Sequence, residues 1–323
     1  MVISRRHTLS LGLAAGCALS SDLLADSFPS RPLRWLVGFP PGGGATIATR
    51  VMADWLTRRL GQPVLVENKP GASGNLALQE GAKAPTDGHT VLLVPASAVV
   101  NRALSLRLSV DVLSDLEPVS GLVDFALVLL ASPALRATRV EDLVSYAKAK
   151  PGELNLASFG VGSTSHLAGE LLQIMTGTRL THVPYPGEAA ALTDLIGGRV
   201  HVMFGVLTTS LSYIEAGSVR ALGVATRDRH PLLPELPAIR ETVSEFEASS
   251  WLGVSLPKGA AREVIALLNR EINAGLKDPE VAARYTKLAA TPLVFTPQQF
   301  AQHTVGEAEK WARVARHAGL APN

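Results

Sequence analysis

The sequence predicts an α/β protein built from two similar halves. Short β-rich runs alternate with stretches whose apolar residues recur at helical spacing. The order strand, helix, strand, helix, strand occurs twice, which is the signature of parallel βαβ units. In each half a strand opens into a glycine-bearing loop just before a helix, "PPGGGAT" in the first and "GVGSTS" in the second. With 323 residues, two domains can each bury a core.

The first half starts with "PLRWLVGF", a strand over Leu33 to Phe39. After the glycine loop, Ile47, Val51, Trp55, Leu56 and Leu60 recur at helical spacing, and Gly61 stands where a helix ends. "VLVEN" is a second strand and "KPGASGN" a second glycine-bearing loop. A short helix is predicted over Leu76 to Lys83, then a turn at "PTDG" and a buried strand at "HTVLLVP". In the second half "ELNLASF" is a strand, "HLAGELLQIMTG" a helix closing on Gly177, and "LTHVPY" a strand. "GEAAALTDLIGG" (helix), "VHVMF" (strand), "SLSYIEAG" (helix) and "VRALGVAT" (strand) follow. Phe125 to Pro133 and Ser249 to Gly259 read as strands passing between the halves. The tail is predicted helical over Arg262 to Leu276, around Pro279 to Leu288, and from Pro297 to Ala318.

Apolar residues make up 47% of the chain and charged residues 18%, with a net charge of +2. Nothing in that balance resembles the basic footprint of a nucleic-acid binder. The first residues have the layout of an export signal: Arg5 and Arg6, a short apolar run from Thr8 to Leu19, and a cleavage end at Ala25. That run is too short to span a bilayer, and no later run is long enough. Residues 1–25 are therefore expected to be a signal peptide, by the twin-arginine or the ordinary secretory route. The only cysteine, Cys17, lies inside it. "LAAGC" is an imperfect lipoprotein pattern, so a lipid anchor at Cys17 is the less favoured alternative to a free exported protein.

Both glycine loops expose backbone N–H groups beside a helix start, a setting for an anion. Gly42-x-Gly44 matches the first two glycines of a dinucleotide fingerprint, and Glu67 stands at the distance of a ribose-binding acid. The third position is Ile47, where a small residue is needed. No Walker A sequence occurs, nor a Gly-x-Ser-x-Gly elbow at Ser73 or Ser163, nor a His-Glu-x-x-His pair. His166, His182 and His201 read as packing or hydrogen-bonding residues. Asp87, Asp124 and Asp194 fall in helix or turn settings, with no paired carboxylates. No equipment for catalysis is visible, and neither a metal nor a cofactor is expected.

Six segments in order resemble one family: "RPLRWLVGFPPGGGATIATR", "GQPVLVENKPGASGN", "PTDGHTVLL", "GVGSTSHLAGELL", "THVPYPGEAAALTDLIGGRVHVMF" and "GSVRALGVAT". The chain resembles the extracytoplasmic solute receptors of the tripartite tricarboxylate transporter family, also called Bug proteins. The resemblance implies a two-lobe periplasmic-binding-protein fold of type II-like form. Each lobe would be a mostly parallel sheet flanked by helices, and two crossing strands would form a hinge. Lobe 1 would comprise 29–128 and 252–323, and lobe 2 would comprise 129–251. A small organic carboxylate would be held between the lobes, without catalysis, and delivered to a membrane transporter of one large and one small subunit. Some family members serve sensing, so a signalling receptor of the same fold is one alternative; an exported α/β oxidoreductase or hydrolase is the other.

Carried over by position, the ligand-binding residues would be Phe39, Pro40, Gly43, Gly44, Ala45 and Thr46 from the first loop. The second would give Gly162, Ser163, Thr164, Ser165 and His166, with Tyr185 and Ser97 added after two further strands. Two positions depart from the family pattern. Ala45-Thr46 replaces the common Thr-Asp, and Gly205 replaces a common Asp. Without those acids a ligand ammonium would lack a partner, so an amine-free organic acid is predicted.

Overall fold

Strand β1 (Leu33–Val37) runs into the first glycine loop and then into helix α1 (Gly44–Leu60) in the computed structural model, which describes residues 28–104 and 110–320. The predicted signal peptide and Cys17 lie outside the described residues. Gly61 ends α1 in the left-handed conformation, with φ of 70°, as its position predicts. Then follow β2 (Val64–Asn68), α2 (Asn75–Gly81), β3 (Thr90–Pro95) and α3 (Ala96–Ala103). The long strand β4 (Leu116–Ala131) leads to α4 (Val140–Ala149), β5 (Asn155–Ser158), α5 (Thr164–Thr176), β6 (Thr181–Pro184), α6 (Glu188–Ile196), β7 (Val202–Val206), α7 (Leu207–Glu215) and β8 (Arg220–Val224). Strand β9 (Ser249–Pro257) returns to helices α8 (Arg262–Leu276) and α9 (Pro279–Thr286), strand β10 (Ala290–Pro292) and helix α10 (Pro297–His317).

The strands form two sheets of matching plan. In one, β2, β1 and β3 are parallel, and β9, β4 and β10 continue the sheet in antiparallel pairings. In the other, β6, β5 and β7 are parallel, with β4 and β8 antiparallel beyond them. Parallelism is thus confined to the βαβ units, and the remaining strands reverse. Strand β4 belongs to both sheets: its residues up to Ala126 pair with β9, and from Leu127 they pair with β7. The predicted passing strand at Phe125 is the second half of this element. The first half was hidden by Pro118 and Gly121, which sit at two register shifts against β9. Such bulges accommodate residues that a regular central strand rejects. Asp124, expected in a helix or turn, therefore lies in a strand, opposite Trp251 of β9.

Each sheet is covered on both faces. Trp35, Met52, Leu56, Leu268 and Tyr285 bury one face of the first sheet, and Leu36, Leu92, Trp251 and Phe300 the other. The second sheet buries Leu127, Leu156, Phe204 and Phe246 on one side and Val128, Leu192 and Met203 on the other. Continuous apolar strands such as β3 follow from this two-sided burial. Helix α10 joins both cores: Phe300 and Ala308 pack with the first sheet, while Trp311, Val314 and Ala315 pack with the second. Val100 and Leu104, from α3 and its end, also enter the second core.

Candidate ligand cleft

Helices α1 and α3 start at the carboxyl ends of the parallel strands β1 and β3, and α5 and α7 at those of β5 and β7. In such sheets ligands gather where loops leave the carboxyl ends of strands. The local chemistry differs among the four starts.

At α1, Gly43 is the N-cap, with φ of −76° and ψ of 160°, and no side chain caps the helix. The first ladder bond is Ile47 N–H to the Gly43 carbonyl, at 3.0 Å. The amides of Gly44, Ala45 and Thr46 therefore lie ahead of the ladder. The fold does not itself require glycine at 43 or 44. A Cβ at Gly43 would meet only the Pro40 oxygen at 3.7 Å, and one at Gly44 the Phe125 ring at 3.5 Å. Their missing side chains leave the first-turn backbone uncovered. Thr46 is fully buried; its hydroxyl donates to the Pro40 carbonyl at 2.9 Å and accepts from Asn68 Nδ2 at 2.8 Å. Asn68 Nδ2 also meets the Phe39 carbonyl at 2.8 Å. Asn68, at the end of β2, thus ties the loop together. The sequence marked this residue only as the end of a strand.

The second loop is tied more tightly. Gly160 and Gly162 have φ of 125° and 78°, conformations that favour glycine. A Cβ at Gly162 would stand 2.5 Å from Leu104 Cδ1. The Ser163 hydroxyl accepts from His166 N–H at 3.2 Å, capping α5, and donates to the Gly160 carbonyl at 2.8 Å. The Ser165 hydroxyl, fully buried, donates to the Phe204 carbonyl of β7 at 2.6 Å. Thr164 and His166 are buried as well. His166 Nδ1 accepts from Gly162 N–H at 3.2 Å, so this ring braces the loop from beneath. Side-chain hydroxyls here build the loop, and the backbone is the surface it presents. An exposed aliphatic residue accompanies each loop, Ile47 in the first turn of α1 at 39% and Val161 in the second loop at 67% exposure.

Tyr185 packs beside the second loop, its N–H on the Ser158 carbonyl at 3.0 Å. Its hydroxyl donates to Asp194 at 2.7 Å, and Arg199 holds the same carboxylate. Burial, with the Asp194 bond second, pushes the phenol up to about 12. Ser97 lies in the first turn of α3. Glu67 forms a two-pronged ion pair with Arg34, both bonds 2.8 Å, so it is committed within the fold and does not stand free as a ribose acid.

Glu188 reaches from the start of α6 to the start of α7. Its carboxylate accepts Val206 N–H at 2.7 Å and lies 3.5 Å from the Ser210 hydroxyl. A Cβ at Gly205 would stand 3.3 Å from Glu188 Oε1. Ser210 Oγ and Leu130 Cδ1 would stand closer still, at 2.5 and 2.8 Å, so these three side chains together fill the space that a side chain at 205 would need. Burial raises this acid to about 7. His201 Nδ1 accepts the Asn155 N–H at 2.8 Å, a packing role. Among the described residues no cluster of three metal-ligating side chains occurs, and no helix is long and apolar enough to cross a membrane.

Two α/β lobes sharing crossing strands, with uncovered helix starts at the strand ends, define a solute receptor of the periplasmic-binding-protein class. The chain belongs to the tripartite tricarboxylate transporter family receptors, whose family model matches residues 48–320. It is 38% identical over 308 residues to protein BugT of Bordetella pertussis, covering 94% of each chain. Among solved structures, it is similar to R. palustris Rpa4515 with adipate. The identity is 35% and the TM-score 0.81, over 92% of this chain and 100% of that one. MatC of Rhodopseudomonas palustris with bound malate is 30% identical with a TM-score of 0.76, over 89% and 99% of the two chains. The periplasmic binding protein BugD gives 31% and 0.78, over 92% and 100%.

Proposed function

We propose that this chain is a periplasmic receptor that captures a small organic carboxylate between its lobes and delivers it to a membrane transporter of one large and one small subunit. The observation that carries the reading is the uncapped start of α1, with its bare Gly43-Gly44 backbone. Three amides ahead of a helix ladder favour an anion without any cationic side chain. Relatives with adipate and malate bound support that chemistry. Export through residues 1–25 supplies the location. The lobes divide at 29–128 with 252–323, and 129–251, and α10 straps the two cores together.

In the proposed cleft the first loop, Phe39 to Thr46, contributes the amides of Gly44, Ala45 and Thr46. The second contributes the backbone of Gly162 to Ser165, chiefly the Thr164 and Ser165 amides, since those of Gly162 and Ser163 are bonded to His166 Nδ1 and the Gly160 carbonyl, with Ser97 and Tyr185 at its margins. Ile47 and Val161 suit the hydrocarbon body of an organic acid. The ligand carries no amine. Thr46 and Gly205 supply no charge, and the Glu188 carboxylate is already bonded to Val206 N–H at the start of α7.

A thermal-shift panel tests this reading. Adipate, malate, succinate, citrate and benzoate should each be compared with aspartate and glutamate. A ligand at about a hundred times its dissociation constant adds roughly 2.7 kcal/mol of stability. Stabilisation by an amine-free acid supports the assignment. Stronger stabilisation by aspartate or glutamate would overturn the amine-free class, and no response to any acid would count against a carboxylate receptor.

A further inference from the structure

We propose that His166 and His182 are positioning residues: as a stacked neutral pair they tie down the second loop at two points, and a proton added to His166 releases the tie at Gly162. The proposal rests on the receptor reading only for its effect on ligand. The latch itself is a property of the free protein.

The two rings lie face to face, 3.8 Å between centroids and 15° between planes. Each holds a different part of the loop. His166 Nδ1 accepts Gly162 N–H at 3.2 Å, so that nitrogen carries no proton. Its proton is then on Nε2, which faces Glu170 at 3.7 Å. His182 Nε2 lies 2.7 Å from the Ser158 hydroxyl, and the same hydroxyl accepts Gly160 N–H at 3.2 Å. The loop between Gly160 and Gly162 is thus bonded through both imidazoles, and its exposed residue Val161 lies between the two anchor points.

Protonating His166 turns the acceptor for Gly162 N–H into a donor. Two donors then face each other, and the bond cannot persist. A proton on either ring also sets its charge against the other ring at stacking distance. The surroundings offer little compensation. On α5 the facing charged group is Glu170, itself raised by burial. From β6 the facing group is the second imidazole, and from β5 the uncharged Ser158. From α3 come Asn101 and Leu104, at Gly162. Helix α10 packs against α5, but its Lys310 is committed to Glu307. Among the described residues no other charged side chain pairs with either ring. Burial first, and then His182, holds His166 down to about 4, and burial lowers His182 as well.

Hydrogen–deuterium exchange on the ligand-free protein tests the latch, with adipate titrations at the same pH values as the functional arm. After correction for intrinsic rates, the peptide covering Gly160–Ser163 should exchange roughly tenfold faster when pH falls from about 7 toward 4. His166→Gln offers a carbonyl acceptor that does not titrate, so its loop should stay protected across that range. His166→Phe removes the acceptor, so its loop should exchange fast at every pH. Should either variant fail to fold, His182→Phe keeps a stacked ring while removing the neighbour that helps hold His166 down, and should shift the release to higher pH. Affinity for adipate should fall with acid in the wild type and not in His166→Gln. Equal loop exchange at both ends of the range in the wild type would overturn the latch. So would a protected loop whose adipate affinity rises with acid, because the rings would then act as cationic ligand contacts. A loop that loosens in a protein that binds no acid would leave the latch standing and remove the receptor reading.

Discussion

Glu188 Oε1 accepts the backbone N–H of Val206 at 2.7 Å, bringing a carboxylate from the start of one helix to the start of the next. The bond gives an acid at the cleft end of β7, although position 205 is glycine. Burial raises this acid from 4.5 to about 7. Between those values the folded chain holds a proton that the unfolded chain has released. The Glu188 contribution therefore favours folding below about 4.5 and is lost as pH rises through about 7.

Glu188→Gln keeps an oxygen for Val206 N–H and removes the titration. Relative to wild type, the variant should gain stability as pH rises across that window, on the order of 3 kcal/mol by pH 8. Parallel melts of the two proteins at several pH values measure the difference. A gap that does not change with pH would show that the carboxylate is not suppressed by burial.

The first-loop backbone is open, and the fold tolerates side chains there. Gly43→Val introduces a branched group at a residue with ordinary extended φ, beside no atom closer than the Pro40 oxygen at 3.7 Å. Stability should change little, while affinity for the best acid of the panel should drop more than about tenfold, or roughly 1.4 kcal/mol. Calorimetric titration beside a urea melt separates the two effects. Unchanged affinity in a stable variant would place the anion elsewhere.

Asn68 donates to both the Phe39 carbonyl and the buried Thr46 hydroxyl. Asn68→Ala leaves the Phe39 carbonyl without that donor and loosens the loop. A loss of about 1–3 kcal/mol of stability is expected, with weaker binding alongside it. Urea midpoints and the same titration provide the check. Wild-type affinity in this variant would mean the loop needs no such tie.

Strand β4 runs from one sheet into the other and β9 brings the chain back into the first, while α10 and the end of α3 enter the second core. Scattering should show a smaller radius of gyration once an acid is bound, because closure about the crossing strands buries the cleft. Trp311→Ala hollows the junction of α10 with the second sheet, where Trp311 is fully buried and donates to Glu307 at 2.9 Å. It should cost about 3–5 kcal/mol. A constant radius with proven binding would argue that α10 and α3 hold the lobes fixed.

The sequence by itself determined the βαβ order, most helix ends and the two glycine loops. Those features are local: apolar spacing, the terminating Gly61 and Gly177, and loop composition all act within a few residues. It also carried the family, through six ordered segments. Helix α4 had a readable signal in Val140, Leu143 and Ala147, with Asp142 reaching back to Arg139 N–H at 3.1 Å, yet it is absent from the predicted elements. Tertiary structure alone decided the rest. The first half of β4 depends on partners that absorb Pro118 and Gly121 at bulges, which no local pattern reveals. The hydroxyls of Thr46 and Ser165 are turned inward by Asn68 and the Phe204 carbonyl, contacts set by chain crossings far apart in sequence. Likewise His166 and His182 meet only because β6 lies beside β5, the strand that feeds α5, which brings two rings from separate elements into one stack. Residue types fixed what each group can do, and long-range packing fixed which groups face the cleft and which hold it in place.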